Sequence, residues 1–416
     1  MKFAVFFLII SVFVDIYLYK ALRSTQISWA KTQRFKVLWW AYSILIIAGI
    51  VCSVIFDFQL MLRSVFLVAF FISFVTKFIY MLVFVVDDLR RGTIWLKRKI
   101  TSNKTDQEKT AQNTGISRSD FLAKSGVVLA SIPFAGLSWG IVGGAYDYTV
   151  KRQKLYLPNL PAAFHGLQIV QISDIHSGSF YNKRAVMGGI EMILGLKPDV
   201  IFFTGDIVNN LTSELGEYKD LFAKLRAPLG VYSVLGNHDY GDYHYGPEPS
   251  KEKDENLRQL IQAEKEMGWD LLLNTHRRLR VDNEEIGILG VENWGKGRFI
   301  RRGDIQKTLS GTEDLPVKLL LSHDPSHWRG QVLDHKDIDV TFSGHTHGMQ
   351  FGIRIPNYQW SPAQYLYPEW AGMYTQGQQQ LYVNVGYGFI GYPGRLGIRP
   401  EITHFELIRG TRPQGA

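Results

Sequence analysis

The chain has 416 residues, 46% of them hydrophobic and 13% aromatic, with a formal net charge of +8. Such a charge suggests a nucleic-acid surface until its location is read: residues 1–150 hold 17 Lys and Arg against 8 Asp and Glu, leaving the remainder near neutrality. A basic excess confined to the most apolar third points to a membrane and away from nucleic acid, and a single cysteine, Cys52, excludes an internal disulfide framework or a cysteine-ligated zinc site.

Four apolar stretches run about 3–19, 38–56, 64–86 and 126–146, each near the ~20 residues a helix needs to cross a bilayer. Lys77 lies inside the third and requires a partner or water there; helix packing explains it better than transport. The fourth is rich in Gly, Ala and Ser and contains Pro133, so it predicts either a span or a re-entrant segment. Lys20, Arg23, Lys31, Arg34 and Lys36 separate the first two stretches, and Arg90, Arg91, Lys97, Arg98, Lys99, Lys104 and Lys109 follow the third. The positive-inside rule places both loops in the cytoplasm. Four spans would then put the rest of the chain outside the cytoplasm; three would leave it inside. Ser117–Leu122 resembles a twin-arginine export signal with Ser119 in place of the second arginine, and a basic flank before a membrane helix explains it equally. The expectation is a multi-pass region over residues 1–147 and a second domain over 148–416.

From Tyr148 the pattern changes. Strand-like runs occur at Leu167–Ile172, Val200–Thr204, Val231–Leu235, Ile286–Val291, Lys318–Leu321 and Val340–Phe342. Lys183–Leu196 carries Val186, Ile190, Ile193 and Leu194 at helical spacing, and Leu215, Tyr218, Leu221, Phe222 and Leu225 repeat the pattern. Alternating strands and helices predict parallel pairing with helices covering a sheet.

The polar motifs sit just after these strands: Asp174-Ile175-His176, Gly205-Asp206, Gly236-Asn237-His238-Asp239, Ser322-His323-Asp324 and Gly344-His345-Thr346-His347. In a parallel sheet the carboxyl ends of strands share one edge, where such folds bind ligands. A lone Gly-Asp or Gly-Asn after a strand is usually a turn, and a lone histidine is usually a hydrogen-bonded one. Five motifs in register outweigh those readings. Two aspartates, four histidines and an asparagine, with no thiolate, suit Mn, Fe or Zn and not copper(I) or an iron–sulfur cluster.

The ordered set D-x-H, G-D, G-N-H-D, H and G-H-x-H resembles the calcineurin-like metallophosphoesterase superfamily over roughly residues 150–410. The resemblance implies a four-layer α/β sandwich, two β-sheets flanked by helices, preceded here by the helical transmembrane region. It implies two divalent metal ions, one held by Asp174, His176, Asp206 and His347, the other by Asp206, Asn237, His323 and His345, with Asp206 shared. A hydroxide formed on the metals would attack phosphorus. His238 would serve the leaving oxygen and Asp239 would orient its ring; Asp324 and Asn384 are candidates to support the ligands. Arg395 and Arg399 lie in a segment resembling the close of membrane-linked members, where one could touch substrate phosphate, although ion pairing fits them as well. The implied reaction is hydrolysis of a phosphodiester or pyrophosphate, with a lipid or cell-envelope substrate as first expectation and an extracytoplasmic catalytic domain. A phosphomonoesterase or nucleotide phosphatase, and an inactive membrane scaffold, are the alternatives.

Two further groups have plain readings beside functional ones. Trp294, Lys296, Arg298, Arg301 and Arg302 form either a solvated basic loop or an anion contact. Trp360, Tyr365, Tyr367, Trp370 and Tyr374 either pack under a loop or face a membrane interface, sugar or base.

Overall fold

The computed structural model describes residues 2–55, 60–100, 118–297, 299–356 and 358–412. Lys104, Lys109, Ser117 and Arg298 lie outside the described residues. The chain divides into two units, residues 1–139 and 140–416.

The first unit holds four helices, α1 (Lys2–Ser24), α2 (Gln33–Ile55), α3 (Leu60–Ile100) and α4 (Arg118–Val142). Each apolar stretch falls largely within one of these helices, the fourth as far as Val142, and Pro133 is accommodated inside α4. Three stretches among the described residues are long and apolar enough to cross a membrane: Gln33–Cys52, Val65–Lys97 and Phe121–Val142. The polarity of this unit is inverted relative to a water-soluble bundle. Phe13, Ile44, Leu45, Val86, Val128 and Ile132 face outward, while Asp15, Ser43 and Asp87 are buried. Lys77 finds the partner its position demands: its Nζ lies 2.5 Å from Asp15 Oδ1 and 3.1 Å from Ser43 Oγ, between the Trp39 and Tyr42 rings. A charge satisfied this way ties α1, α2 and α3 together.

The second unit contains two six-stranded sheets. The strands are β1 (Thr149–Leu157), β2 (Gln168–Ile172), β3 (Val200–Phe203), β4 (Val231–Ser233), β5 (Asp270–Leu271), β6 (Thr275–Val281), β7 (Glu284–Gly290), β8 (Lys318–Leu321), β9 (Val340–Ser343), β10 (Ile353–Ile355), β11 (Tyr358–Trp360), β12 (Gly372–Gln376), β13 (Gln379–Val383) and β14 (Glu401–Arg409). The helices are α5 (Lys183–Gly195), α6 (Lys219–Phe222), α7 (Asp242–Tyr245), α8 (Lys251–Glu266), α9 (Ile305–Leu309) and α10 (Ser326–Gly330). One sheet has the order β1-β14-β2-β3-β4-β5, the other β12-β13-β9-β8-β7-β6, and β10 pairs with β11 as a separate hairpin.

Strand alternation builds the four layers. Ile169, Val200 and Phe202 of the first sheet meet Ile288, Leu319, Leu321 and Phe342 of the second between the sheets. Their neighbours Val170, Ile201 and Phe203 point the other way, toward α5 residues Val186, Ile190 and Ile193 and α8 residue Leu260. On the far side Leu289, Leu320 and Val383 pack against Ile305 of α9 and Trp328 of α10. The central strands β2, β3, β8 and β9 are buried on both faces, which is why they read as continuous apolar runs. β2, β3 and β4 pair in parallel, as do β7, β8, β9 and β13. The helix expected over 215–225 is instead a 3₁₀ turn at Thr212–Leu215 and the single turn α6. Gly216 interrupts them, yet Leu215, Phe222 and Leu225 still bury the face their spacing predicted.

Candidate metal centre

The five motifs occupy the turns leaving β2, β3 and β4 of the first sheet and β8 and β9 of the second, and parallel pairing within each sheet carries its motifs to one edge of that sheet. The ligand atoms of Asp174, His176 and His347 all lie within 4.8 Å of one another, and those of Asp206, His323 and His345 do likewise. Asp206 stands between the groups: its Oδ2 is 3.1 Å from His323 Nε2 and 3.6 Å from His176 Nε2. Asn237 leaves the next turn, 6% exposed, with its Oδ1 buried and without a hydrogen-bond partner.

The turns are unusually tight. Asp174, His176, Asp206, His345 and His347 all have positive φ, between 49° and 72°, a left-handed conformation that costs a non-glycine side chain free energy and concentrates at functional sites. The carboxylate of Asp239 ties the turn after β3 to the turn after β4, accepting the backbone N–H groups of Asp206, Ile207 and Gly236, each at 2.8 Å. Asp174 accepts the N–H of His345 at 2.9 Å. A Cβ at Gly236 would collide with the Asp206 carboxylate, so that turn has no room for a side chain.

The imidazoles face each other through nitrogen. His176 Nε2 lies 3.0 Å from His347 Nε2, and His323 Nε2 lies 3.2 Å from His345 Nδ1. His323 donates through Nδ1 to the Thr204 carbonyl at 2.7 Å, and His176 Nδ1 faces the Val208 carbonyl at 3.2 Å. A carbonyl can only accept, so these contacts leave the Nε2 lone pairs pointing into the centre. Converging lone pairs and carboxylates repel unless a cation lies among them.

The electrostatics agree. Burial alone would raise the Asp174 and Asp206 carboxyls, but the surrounding histidines outweigh it and hold both well below the usual range. Burial drives His176 well below its ordinary value. It acts on His323 in the same sense, yet the Asp206 and Asp174 carboxylates override it and push His323 up to about 10. A proton is thus drawn into the place of a stronger positive charge. Imidazole, carboxylate and amide oxygen without thiolate fit a borderline or hard divalent ion.

His238 borders the site. Its ring stacks on Tyr243 with centroids 4.4 Å apart and meets His176 edge-on at 5.0 Å. Its Nδ1 lies 2.6 Å from the Asn209 carbonyl, which leaves Nε2 as the free nitrogen. The orienting group is therefore Asn209 and not Asp239, whose oxygens are occupied by the backbone of the adjoining turns.

Two matches then place the chain. Residues 1–145 match the model described as "Probable Calcineurin-like phosphoesterase, transmembrane domain", and residues 167–349 match "Calcineurin-like phosphoesterase". A Bacillus subtilis metallophosphoesterase, YkuE, is 33% identical over 269 residues, covering 63% of this chain and 84% of that protein. The chain belongs to the calcineurin-like metallophosphoesterase superfamily. A transmembrane protein with a metallophosphoesterase domain from Danio rerio is 30% identical over 291 residues, covering 67% of this chain. This chain spans 62% of the length of that relative. The UDP-2,3-diacylglucosamine pyrophosphatase LpxG of Chlamydia trachomatis is 28% identical over 242 residues, covering 50% of this chain and 72% of that enzyme. The chain thus joins a region of the transmembrane-domain family to a mixed α/β region of the metallophosphoesterase family.

Both arginines of the closing segment have structural partners. Arg395 is 2% exposed; its Nη2 donates to the Val385 carbonyl at 2.8 Å and its Nε to the Gly388 carbonyl at 2.8 Å. Nη2 also lies 3.2 Å from His347 Nδ1, so Arg395 backs a candidate ligand from behind. Arg399 pairs at the surface with Asp147 at 2.5 Å. Asp324 Oδ2 lies 3.6 Å from His345 Nε2. Asn384 orders its own loop by accepting the Gly386 N–H at 2.7 Å and donating to Thr403. In the basic cluster, Arg302 pairs with Asp242 and Arg301 covers the Trp294 ring, so both serve the fold.

Three contributors carried no sequence signal. Asn209 acts through its carbonyl, Tyr243 through a stacking face, and the turn after β13 through backbone bonds to Ser173 and Asp174. Tyr367, one of the aromatic group, lies 2.8 Å through its hydroxyl from His345 Nε2. Trp370 is buried, and the Tyr374 hydroxyl accepts the Trp370 N–H; Tyr365 is exposed.

Proposed function

We propose that the chain is a membrane-anchored hydrolase of phosphodiesters or pyrophosphates, using two divalent ions of the Mn, Fe or Zn kind. Asp174, His176, Asp206 and His347 would hold one ion, and Asp206, Asn237, His323 and His345 the other. The observation that carries this reading is the position of Asp206, within 3.6 Å of imidazole nitrogens from both groups. When bound, such a pair lowers the pKa of a water and neutralises phosphoryl oxygens.

The chain's own residues supply the rest. His238, with Nδ1 directed at the Asn209 carbonyl, presents Nε2 toward the departing oxygen and delivers a proton to it. Tyr243 holds that ring flat. Arg395, 2% exposed, braces the turn after β13 through the Val385 and Gly388 carbonyls.

The LpxG relative favours a lipid-linked pyrophosphate. Topology favours the outer face of the membrane: Phe121–Val142 is long and apolar enough to span, and the basic residues before it, Arg90 to Lys99 among them, favour the cytoplasm. The catalytic unit would then lie outside the cytoplasm in a multi-pass protein. The test is metal analysis of the purified full chain together with hydrolysis of bis-aryl and mono-aryl phosphates. Expected are about two ions per chain, faster turnover of the diester, and loss of activity in Asp206→Ala and Asn237→Ala. Unchanged turnover in those variants would overturn the assignment, and a faster monoester would favour the phosphomonoesterase.

A further inference from the structure

The hairpin β10–β11 is built inside out. In an antiparallel pair, directly opposed residues share a face, and here Ile353 opposes Trp360, Arg354 opposes Gln359 and Ile355 opposes Tyr358. One face is therefore Ile353, Ile355, Tyr358 and Trp360, and the other is Arg354 and Gln359. From the polar face Arg354 turns inward: it is ion-paired with Glu401, which is fully buried and also accepts the Tyr382 hydroxyl at 2.7 Å, while Gln359 is exposed. The apolar face is left in the open, with Ile355 59% and Tyr358 54% exposed.

The surroundings continue it. Phe351 sits beside the Trp360 ring, and the Trp360 indole N–H donates to the hydroxyl of Tyr365. Tyr365 and Leu366 are 74% and 67% exposed. The next residue is Tyr367, which reaches His345. An exposed apolar ridge thus leads directly to the metal centre. Water-soluble proteins rarely leave so contiguous a surface uncovered without a partner.

We propose that this ridge docks the catalytic unit onto a lipid surface, seating the hairpin in the headgroup–acyl boundary. Three observations select lipid over a protein partner. Trp360, Tyr358 and Tyr365 among aliphatic residues form the mixture that partitions into membrane interfaces. Lys151 lines the depression shared with Ile355, Pro356 and Tyr358, supplying a cation beside the ridge for lipid phosphate. The chain also carries its own bilayer anchor, since β1 begins seven residues after the apolar helix α4 ends. A docked hairpin holds the metal centre at the depth of a phosphoester linked to a lipid, and a soluble substrate gains nothing from it.

The experiment reads lipid contact and not turnover, so its failure leaves the hydrolytic reading intact. In the full chain carrying Cys52→Ser, a bimane label is placed at Ile355→Cys, at Tyr358→Cys or, as a reference, at Gln259→Cys on α8. Each protein is reconstituted into phosphatidylcholine–phosphatidylglycerol vesicles with plain or brominated acyl chains. The ridge labels are expected to shift to the blue and to lose emission at least about twofold in brominated vesicles, while the reference stays unchanged. Two positions on separate strands guard against one variant that misfolds. Ridge labels no more quenched than the reference would overturn the proposal. So would a blue shift without bromine quenching but with energy transfer between differently labelled copies, which would assign the ridge to a second copy of the chain.

Discussion

Asp239 accepts the backbone N–H of Asp206 at 2.8 Å, so the residue standing between the two candidate ligand groups is positioned by a carboxylate whose oxygens serve backbone. Asp239→Asn keeps the shape but exchanges one acceptor oxygen for a donor facing other donors. The expected outcome is a metal affinity lower by about 10–100-fold, measured by competition with a chelator, with activity restored at high metal concentration. Normal affinity with lowered kcat would mean that Asp239 acts on chemistry directly.

His238→Gln is expected to separate the two roles in the opposite sense. Metal content stays at the parental level, while kcat for a diester with a poor leaving group falls by about 10²–10⁴. An activated aryl leaving group, which needs little protonation, should narrow the loss. Equal losses for both substrates would exclude proton delivery by this ring.

Tyr367→Phe removes the hydroxyl 2.8 Å from His345 Nε2 and leaves the ring. Metal affinity is expected to fall by about tenfold, with little change in thermal unfolding of the metal-free protein. Chelator titration and a melting curve measured side by side check both parts.

Arg395→Met and Arg399→Ala distinguish a buried clamp from a surface pair. The first strands several buried carbonyls and is expected to destabilise the catalytic unit by about 3 kcal/mol. The second removes an exposed ion pair and should change stability by less than about 1 kcal/mol. If Arg399→Ala instead raised KM for phosphoester substrates severalfold, its pairing with Asp147 would not be its whole function.

Glu264 is fully buried beside Ser233, and burial pushes its carboxyl up to about 8. The folded state then keeps a proton that the unfolded state releases near the ordinary carboxyl value. Between those two values the folded chain binds more protons, so stability falls as pH rises and levels off above about 8. Glu264→Gln removes this slope. The melting temperature of the variant, relative to the parent, should rise steadily from pH ~5 to ~8; a constant offset would contradict the shift.

Legibility followed the physics of each element. The strands buried on both faces announced themselves as apolar runs, and β8 begins and ends where its pattern predicted. The seven candidate ligands were readable because side-chain identity at a strand end survives without knowledge of the turn. The edge strands β1, β6 and β12 are largely half-buried or exposed, and β14, between β1 and β2, mixes polar with apolar residues, so no apolar run marked them. The partner of His238 was unreadable because a backbone carbonyl has no letter in the sequence. Nor does the sequence mark Arg395 as a clamp: an arginine after a glycine reads as a surface residue until the turn after β13 closes over it.

The left-handed backbone shared by Asp174, His176, Asp206, His345 and His347 sets a limit on engineering this protein. Substituting glycine there would relax the turns but remove the very side chains that converge, and reshaping the loops toward ordinary dihedrals would swing them apart. Thermal robustness must therefore be sought elsewhere, in the layers behind the turns, since here a more comfortable main chain and a working hydrolase are competing designs.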